Sequence, residues 1–212
     1  MVRTDKILQI IFIVFAVGSL LGTPFKPYPM ATAVKALPIV FIALMSLLYL
    51  QKQCLLITAG FIFSATGDVL LELEIENGFI FGLAAFLTAH LCYTAFFLRL
   101  RNYNRKNAVR ALFFAVYGVV AFIIFIEPAG ALATPVAIYI SVITLMGIAA
   151  ALTGSLTACL AAAVFILSDS LLAWGKFISD LGHFKISVMV TYYLAQYLIY
   201  RSVRDKFYKV LA

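Results

Sequence analysis

Residues 129–167 read AGALATPVAIYISVITLMGIAAALTGSLTACLAAAVFIL, a run without a single charged side chain. As one helix it would reach roughly 58 Å at 1.5 Å per residue, far beyond a hydrocarbon core of about 30 Å. Thr153-Gly154-Ser155 is the place inside it where a chain can turn. The run is therefore expected to form two helices joined by a tight hairpin. That reading sets the pattern for the whole chain.

Outward from the hairpin the same composition continues. Of 212 residues 65% are hydrophobic and only 12% charged, with a mean hydropathy of +1.07. Soluble domains carry about 25% charged residues, so this composition describes a membrane protein. Spans are expected at 7–22, 31–50, 54–71, 78–98, 108–126, 131–151, 156–174 and 184–200. The breaks between them are chemically sensible. Pro24, Pro27 and Pro29 follow the first span, Gln51-Lys52-Gln53 the second, Glu72, Glu74 and Glu76 the third, and Glu127-Pro128 the fifth. The expected fold is an all-α polytopic bundle of eight transmembrane helices, forming one integral membrane domain over residues 1–212. Arg3, Lys6 and the apolar run behind them permit a cleaved signal peptide. However, Ala31-Thr32-Ala33 lies too far on to serve as its cleavage site, so the first span is expected to be retained.

The net charge of +7 could suggest nucleic acid, but its distribution points to lipid. With eight spans, twelve of the 16 lysines and arginines fall on one side, which places both termini in the cytoplasm. Cys54, Cys92 and Cys159 sit singly in apolar stretches and read as small packing residues. No zinc or disulfide spacing is present.

Two aspartates break the apolar pattern. Asp68 lies in FIFSATGDVLL (residues 61–71) and Asp169 in VFILSDSLLAW (residues 164–174), so Asp-x-Leu-Leu occurs twice. A carboxylate in the hydrocarbon region costs at least a few kcal/mol on insertion scales, which makes such residues functional candidates. The recurrence four spans apart is compatible with a four-plus-four internal repeat. In this topology Asp68, Asp169, Lys35 and Lys176 fall in one layer, in the non-cytoplasmic third. Ser64 shares a helix face with Asp68. Phe79, Gly82, Phe86, His90 and Tyr93 form one stripe, with His90 roughly 18 Å from Gly78 and so near the midplane. Tyr192 and Gln196 pair one turn apart at comparable depth, and Ser168 and Ser170 flank Asp169.

Each of these has a plainer reading. Asp68–Lys35 and Asp169–Lys176 could be structural ion pairs, His90 a helix-to-helix hydrogen-bonding residue, and Ser64 and Ser168 packing groups. A single buried histidine argues against a zinc hydrolase, and neither a Gly-x-Ser-x-Gly elbow nor a phosphate-cradling glycine loop occurs. Neither a metal nor a cofactor is called for, and nothing favours nucleic acid. Paired intramembrane aspartates would also suit a small proton-coupled transporter. A di-aspartyl intramembrane protease fits less well, because Ala65-Thr66-Gly67-Asp68 stands where Gly-x-Gly-Asp is usual.

The ordered set Lys35-x-x-Pro38, Ser64-x-x-Gly67-Asp68-x-Leu70-Leu71, Phe79-x-x-Gly82, Phe86-x-x-x-His90-x-x-Tyr93, Ser168-Asp169-Ser170 and Tyr192-x-x-x-Gln196 resembles the YhhN family. The resemblance implies a multi-pass membrane hydrolase acting on the vinyl-ether bond of a lysoplasmalogen. The products would be a fatty aldehyde and a glycerophospho-headgroup compound. Its partners would be the lysophospholipid and membrane lipid, and its location a bacterial inner membrane. The chemistry suits the residues. Proton transfer to carbon gives an oxocarbenium-like cation, water adds, and the hemiacetal collapses. That sequence needs one protonated carboxyl and one negative charge, as in glycosidases. Asp68 and Asp169 are the expected pair. Lys35 or Lys176 would bind the phosphate, and His90, Tyr93, Tyr192 and Gln196 would position water or the glycerol hydroxyl. Ser64 and Ser168 complete the candidate set, and the long chain would lie in an apolar cavity between helices.

Overall fold

The computed structural model describes residues 2–25, 30–73, 75–179 and 185–207, with backbone only for 2–6, 24 and 205. Every secondary-structure element among them is a helix. The chain divides into two compact units, Met1–Ala89 with Val203–Ala212, and His90–Ser202.

The first unit holds α1 (Val2–Gly22), α2 (Ala31–Tyr49), α3 (Leu55–Glu72), the first half of α4 (Gly78–Arg99) and the last turn of α8 (Lys185–Phe207). α2 packs on both α1 and α3. Ile39, Ile42, Met45, Ile57 and Phe61 fill the core of this unit. Buried in the same core, the Ser46 and Thr58 hydroxyls bond one another at 2.7 Å. Two polar groups thereby satisfy each other where lipid could satisfy neither. The Gln51 N–H donates to the Phe207 carbonyl at 2.9 Å, which pins the end of α8 to the α2–α3 connection. Close approach of α3 to α4 depends on two glycines. A Cβ on Gly67 would lie 2.5 Å from the Phe86 ring, and one on Gly82 would lie 2.6 Å from the Leu71 side chain.

The second unit holds the rest of α4 and α8, with α5 (Arg105–Ala129), α6 (Ala133–Leu152) and α7 (Leu156–Phe177). α5 and α6 interlock reciprocally. Gly118 of α5 receives Thr144 of α6, and Gly147 of α6 receives the buried Phe114 ring of α5. Small residues of this kind let membrane helices approach closely. Gly147→Val is accordingly expected to destabilise the protein by about 1–3 kcal/mol through overpacking. A thermal melt in detergent that matches the unsubstituted protein would contradict this.

The hairpin expected at residues 153–155 is present. Gly154 adopts φ +77°, a conformation that favours glycine, and the Ser155 hydroxyl caps α7 by accepting from the Ala158 N–H at 3.2 Å. At the other end of α6 the break lies slightly later than Glu127-Pro128. α5 runs through Pro128 to Ala129, and Gly130 at φ +54° ends it.

Helices extend beyond the apolar runs where basic residues continue them, as in α5 from Arg105 and α8 to Phe207. Arginine and lysine are good helix formers whose charged heads reach water while the stem stays apolar. Five stretches are long and apolar enough to cross a membrane: Ala31–Tyr49, Lys52–Glu72, Gly78–Arg99, Arg105–Leu152 and Leu156–Phe177. The fourth spans 48 residues and contains both α5 and α6. Ile7–Gly22 is apolar but shorter. The chain is thus a multi-pass, all-helical membrane protein. Pro27, Pro29, Glu74 and the start of the eighth span at Phe184 lie outside the described residues.

Candidate functional site

In the second unit three helix ends set a common depth. The Asn102 N–H donates to the Leu152 carbonyl at 2.6 Å, which levels the end of α4 with the end of α6, and α7 starts just past the turn. Counting inward from that level, His90 precedes Asn102 by 12 residues and Tyr139 precedes Leu152 by 13, while Asp169 follows Leu156 by 13. Each therefore lies about 18–20 Å along its helix. They meet there.

The Tyr139 hydroxyl donates to Asp169 Oδ2 at 2.6 Å, the short distance expected of a charge-assisted O–H···O bond. His90 Nε2 lies 3.2 Å from the same oxygen and 2.9 Å from the Tyr139 hydroxyl oxygen. Nε2 is thus the ring nitrogen that faces the carboxyl group. His90 Nδ1 is buried with no hydrogen-bond partner among the described residues. His90 is fully buried, while the Asp169 side chain keeps 14% exposure. Its Oδ1 carries no hydrogen bond among the described residues, which leaves that oxygen open to a reactant.

Aromatic rings enclose the histidine. Phe165, Tyr139 and Tyr93 stand at centroid distances of 4.7, 5.4 and 6.4 Å, and Tyr192 packs edge-on against Phe165. Tyr93 donates to Gln196 Oε1 at 2.9 Å, and the buried Gln196 Nε2 has no acceptor among the described residues. An unpaired buried polar atom is costly, so Gln196 Nε2 and His90 Nδ1 have capacity for a polar substrate atom. Next to Asp169 in the chain, Ser170 donates to the Ile166 carbonyl, so the Tyr117 hydroxyl donates to Ser170 at 3.0 Å.

The structure brings His90, Tyr93, Asp169, Tyr192 and Gln196 into one neighbourhood. Ser168 turns away, donating to the Val188 carbonyl of α8 at 3.0 Å. Lys176 is exposed in the last turn of α7. Asp169 was expected in an outer layer with Lys176 and His90 at the midplane, yet Asp169 and His90 touch. α7 extends to Phe177, past Trp174, so Asp169 lies deeper than its distance from the end of the apolar run suggests. Among the described residues Asp169 bonds His90 and Tyr139 rather than Lys176.

In the first unit Ser64 and Asp68 lie one turn apart on α3 and are both buried, Asp68 at 2% exposure. The Lys35 ammonium lies 3.1 Å from a Glu72 carboxylate oxygen, one turn beyond Asp68. Among the described residues no three His, Cys, Asp or Glu side chains converge as metal ligands do. An apolar groove of about 360 Å³ runs between α5 and α6, with Gly118 and Thr144 among its walls.

Tyr139 was not legible as a site residue from apolarity alone. One signal would have found it. Folded about Gly154, the sequence places Tyr139 and Asp169 at equal distances of fifteen residues.

The YhhN family model matches residues 30–203, and the chain belongs to that family. Human lysoplasmalogenase TMEM86A is 30% identical over 190 residues, covering 82% of this chain and 78% of the human protein. The bovine lysoplasmalogenase TMEM86A is 29% identical over 153 residues, covering 68% of this chain and 62% of its own length. No solved structure matches the chain.

Proposed function

We propose that this chain hydrolyses the vinyl-ether bond of a lysoplasmalogen, releasing a fatty aldehyde and a glycerophospho-headgroup compound. The observation that carries the reading is Asp169, held on one oxygen by Tyr139 and His90 with the other oxygen open. The names of the mammalian relatives supply the substrate class.

A vinyl ether is protonated on carbon, and the cation that forms is stabilised by an adjacent anion. Water then adds, giving up its proton to a base, and the hemiacetal collapses. The leaving glycerol oxygen takes a proton as the hydroxyl proton returns to the acid. Asp169 is the charge-stabilising member in this proposal, because the Tyr139 hydroxyl donates to one of its oxygens and His90 Nε2 lies beside the same oxygen. Asp68 is the second carboxyl and supplies the proton. Tyr139 and His90 fix the Asp169 carboxylate, so less reorganisation is needed as charge develops. Gln196, oriented by Tyr93, and Tyr192 line the polar approach. Lys176 lies seven residues beyond Asp169, about 10 Å along the helix. A glycerol phosphate and a lysine side chain together bridge that span. Lys35, held by Glu72, is the corresponding cation of the first unit.

The test is direct. Purified protein in detergent micelles is incubated with a vinyl-ether lysophospholipid or its ester-linked counterpart, and the products are identified by mass spectrometry. Fatty aldehyde is expected from the vinyl ether alone. No aldehyde, or equal cleavage of the ester, would overturn the proposal, as would substrate-coupled proton flux in liposomes without any product.

A further inference from the structure

On the second unit, at the end of α7 remote from Asp169, lies a cavity of about 640 Å³ walled by Asn102, by the start of α5 from Asn104 to Asn107 with Arg110, and by Thr153-Gly154. Three cations line it, Arg105, Lys106 and Arg110. None forms an ion pair among the described residues. The described carboxylates of this unit are Glu127 and Asp169, and neither is nearby. Glu127 lies seventeen residues along α5 from Arg110, about 25 Å. Asp169 lies about 20 Å along α7. Among the described residues the site has charge of one sign only.

The frame is rigidly built. Besides the Asn102–Leu152 bond, the buried Asn107 side chain donates to the Asn102 carbonyl at 2.7 Å. The Asn107 N–H in turn donates to Asn104 Oδ1 at 2.9 Å, which caps α5. Gly154 closes the opposite wall, so near that a Cβ there would lie 3.1 Å from Asn107 Nδ2. The cap takes the Asn107 N–H and leaves the first-turn amides of Arg105 and Lys106 for an outside acceptor. Arginine forks, an ammonium group and helix N-terminal amides are the donor set that recognises phosphate.

We propose that this cavity is a second binding site, separate from the Asp169 cluster, for an anionic phosphate group. Its ligand is an anionic phospholipid headgroup or free phosphate. A general preference for basic residues on one membrane face accounts for cations being present. It does not account for three of them lining one walled depression around the start of a helix. The same face also carries Arg99 and Arg101, outside the cavity, and Arg101 stands over the Tyr103 ring at 5.9 Å.

Those two arginines provide the control. The pocket variant Arg105→Gln/Lys106→Gln/Arg110→Gln and the control variant Arg99→Gln/Arg101→Gln are purified beside the unsubstituted protein. Each is mixed with phosphatidylglycerol or phosphatidylcholine and read by native mass spectrometry, and separately titrated with inorganic phosphate while the melting temperature is followed. Preferential retention of phosphatidylglycerol is expected in the unsubstituted and control proteins. In the pocket variant it should fall roughly tenfold or more, the loss that even one charge-assisted hydrogen bond to phosphate accounts for. A phosphate-dependent rise in melting temperature that only the pocket variant loses, without lipid retention, would support the site and identify its ligand as free phosphate. Equal loss in pocket and control variants, or neither ligand bound by the unsubstituted protein, would overturn the proposal. If the triple variant does not fold, Arg110→Gln alone must weaken binding severalfold for the site to stand.

Discussion

Asp169→Asn is expected to lower aldehyde release by about 10²- to 10⁴-fold, the range that a general acid–base or charge-stabilising group supplies. The substitution nearly preserves shape. The asparagine oxygen can still accept from Tyr139, and the amide nitrogen can occupy the place of Oδ1. The negative charge facing the substrate is lost, and so is the base. Helix packing around Phe165 and His90 has no reason to change, so the variant should melt close to the unsubstituted protein. A companion variant, Tyr139→Phe, removes one hydrogen bond to a charged group and should cost about 10- to 100-fold. Substantial turnover in Asp169→Asn would remove this residue from the mechanism. Inactivity of both variants together with collapsed melting curves would assign the triangle to folding instead.

Asp68→Asn is expected to reduce turnover by at least about 10²-fold as well. Here the competing reading is sharper, because Asp68 is buried on α3 beside the tight Gly67–Phe86 contact. A purely structural aspartate would lower the melting temperature while leaving kcat per folded molecule intact. A proton donor would do the reverse. Measuring both quantities on the same preparation separates the two, and an unchanged kcat would exclude Asp68 from the chemistry.

Much of the architecture is legible in the amino-acid sequence, because lipid imposes few choices. A backbone that cannot bond to its solvent must form helices, and their limits follow from where apolar residues stop. Residues 153–155 were recognisable as a turn because 39 uncharged residues cannot remain one helix in a core of about 30 Å. The ends of α5 and α8 were less visible, since arginine and lysine continue a helix after apolarity has ended. The site divided in the same way. Asp169 and His90 announced themselves, as ionisable groups in apolar surroundings do. Tyr139 did not, because a tyrosine in an apolar helix reads as packing until its partner is known. Ser168 failed in the opposite direction. Its position beside Asp169 suggested the same chamber, but consecutive helical residues point about 100° apart, and its hydroxyl serves the backbone of α8.

The α6–α7 hairpin acts as a ruler folded at Gly154. Tyr139 and Asp169 register only because both arms hold the same number of residues, with neither slack nor a loop to absorb a change. Adding or removing one residue in either arm would swing one partner about 100° around its helix and shift it by 1.5 Å. Residues along these arms can be exchanged over evolutionary time, but their number cannot drift independently. Related chains that keep the tyrosine–aspartate bond should therefore show insertions in other connections rather than here.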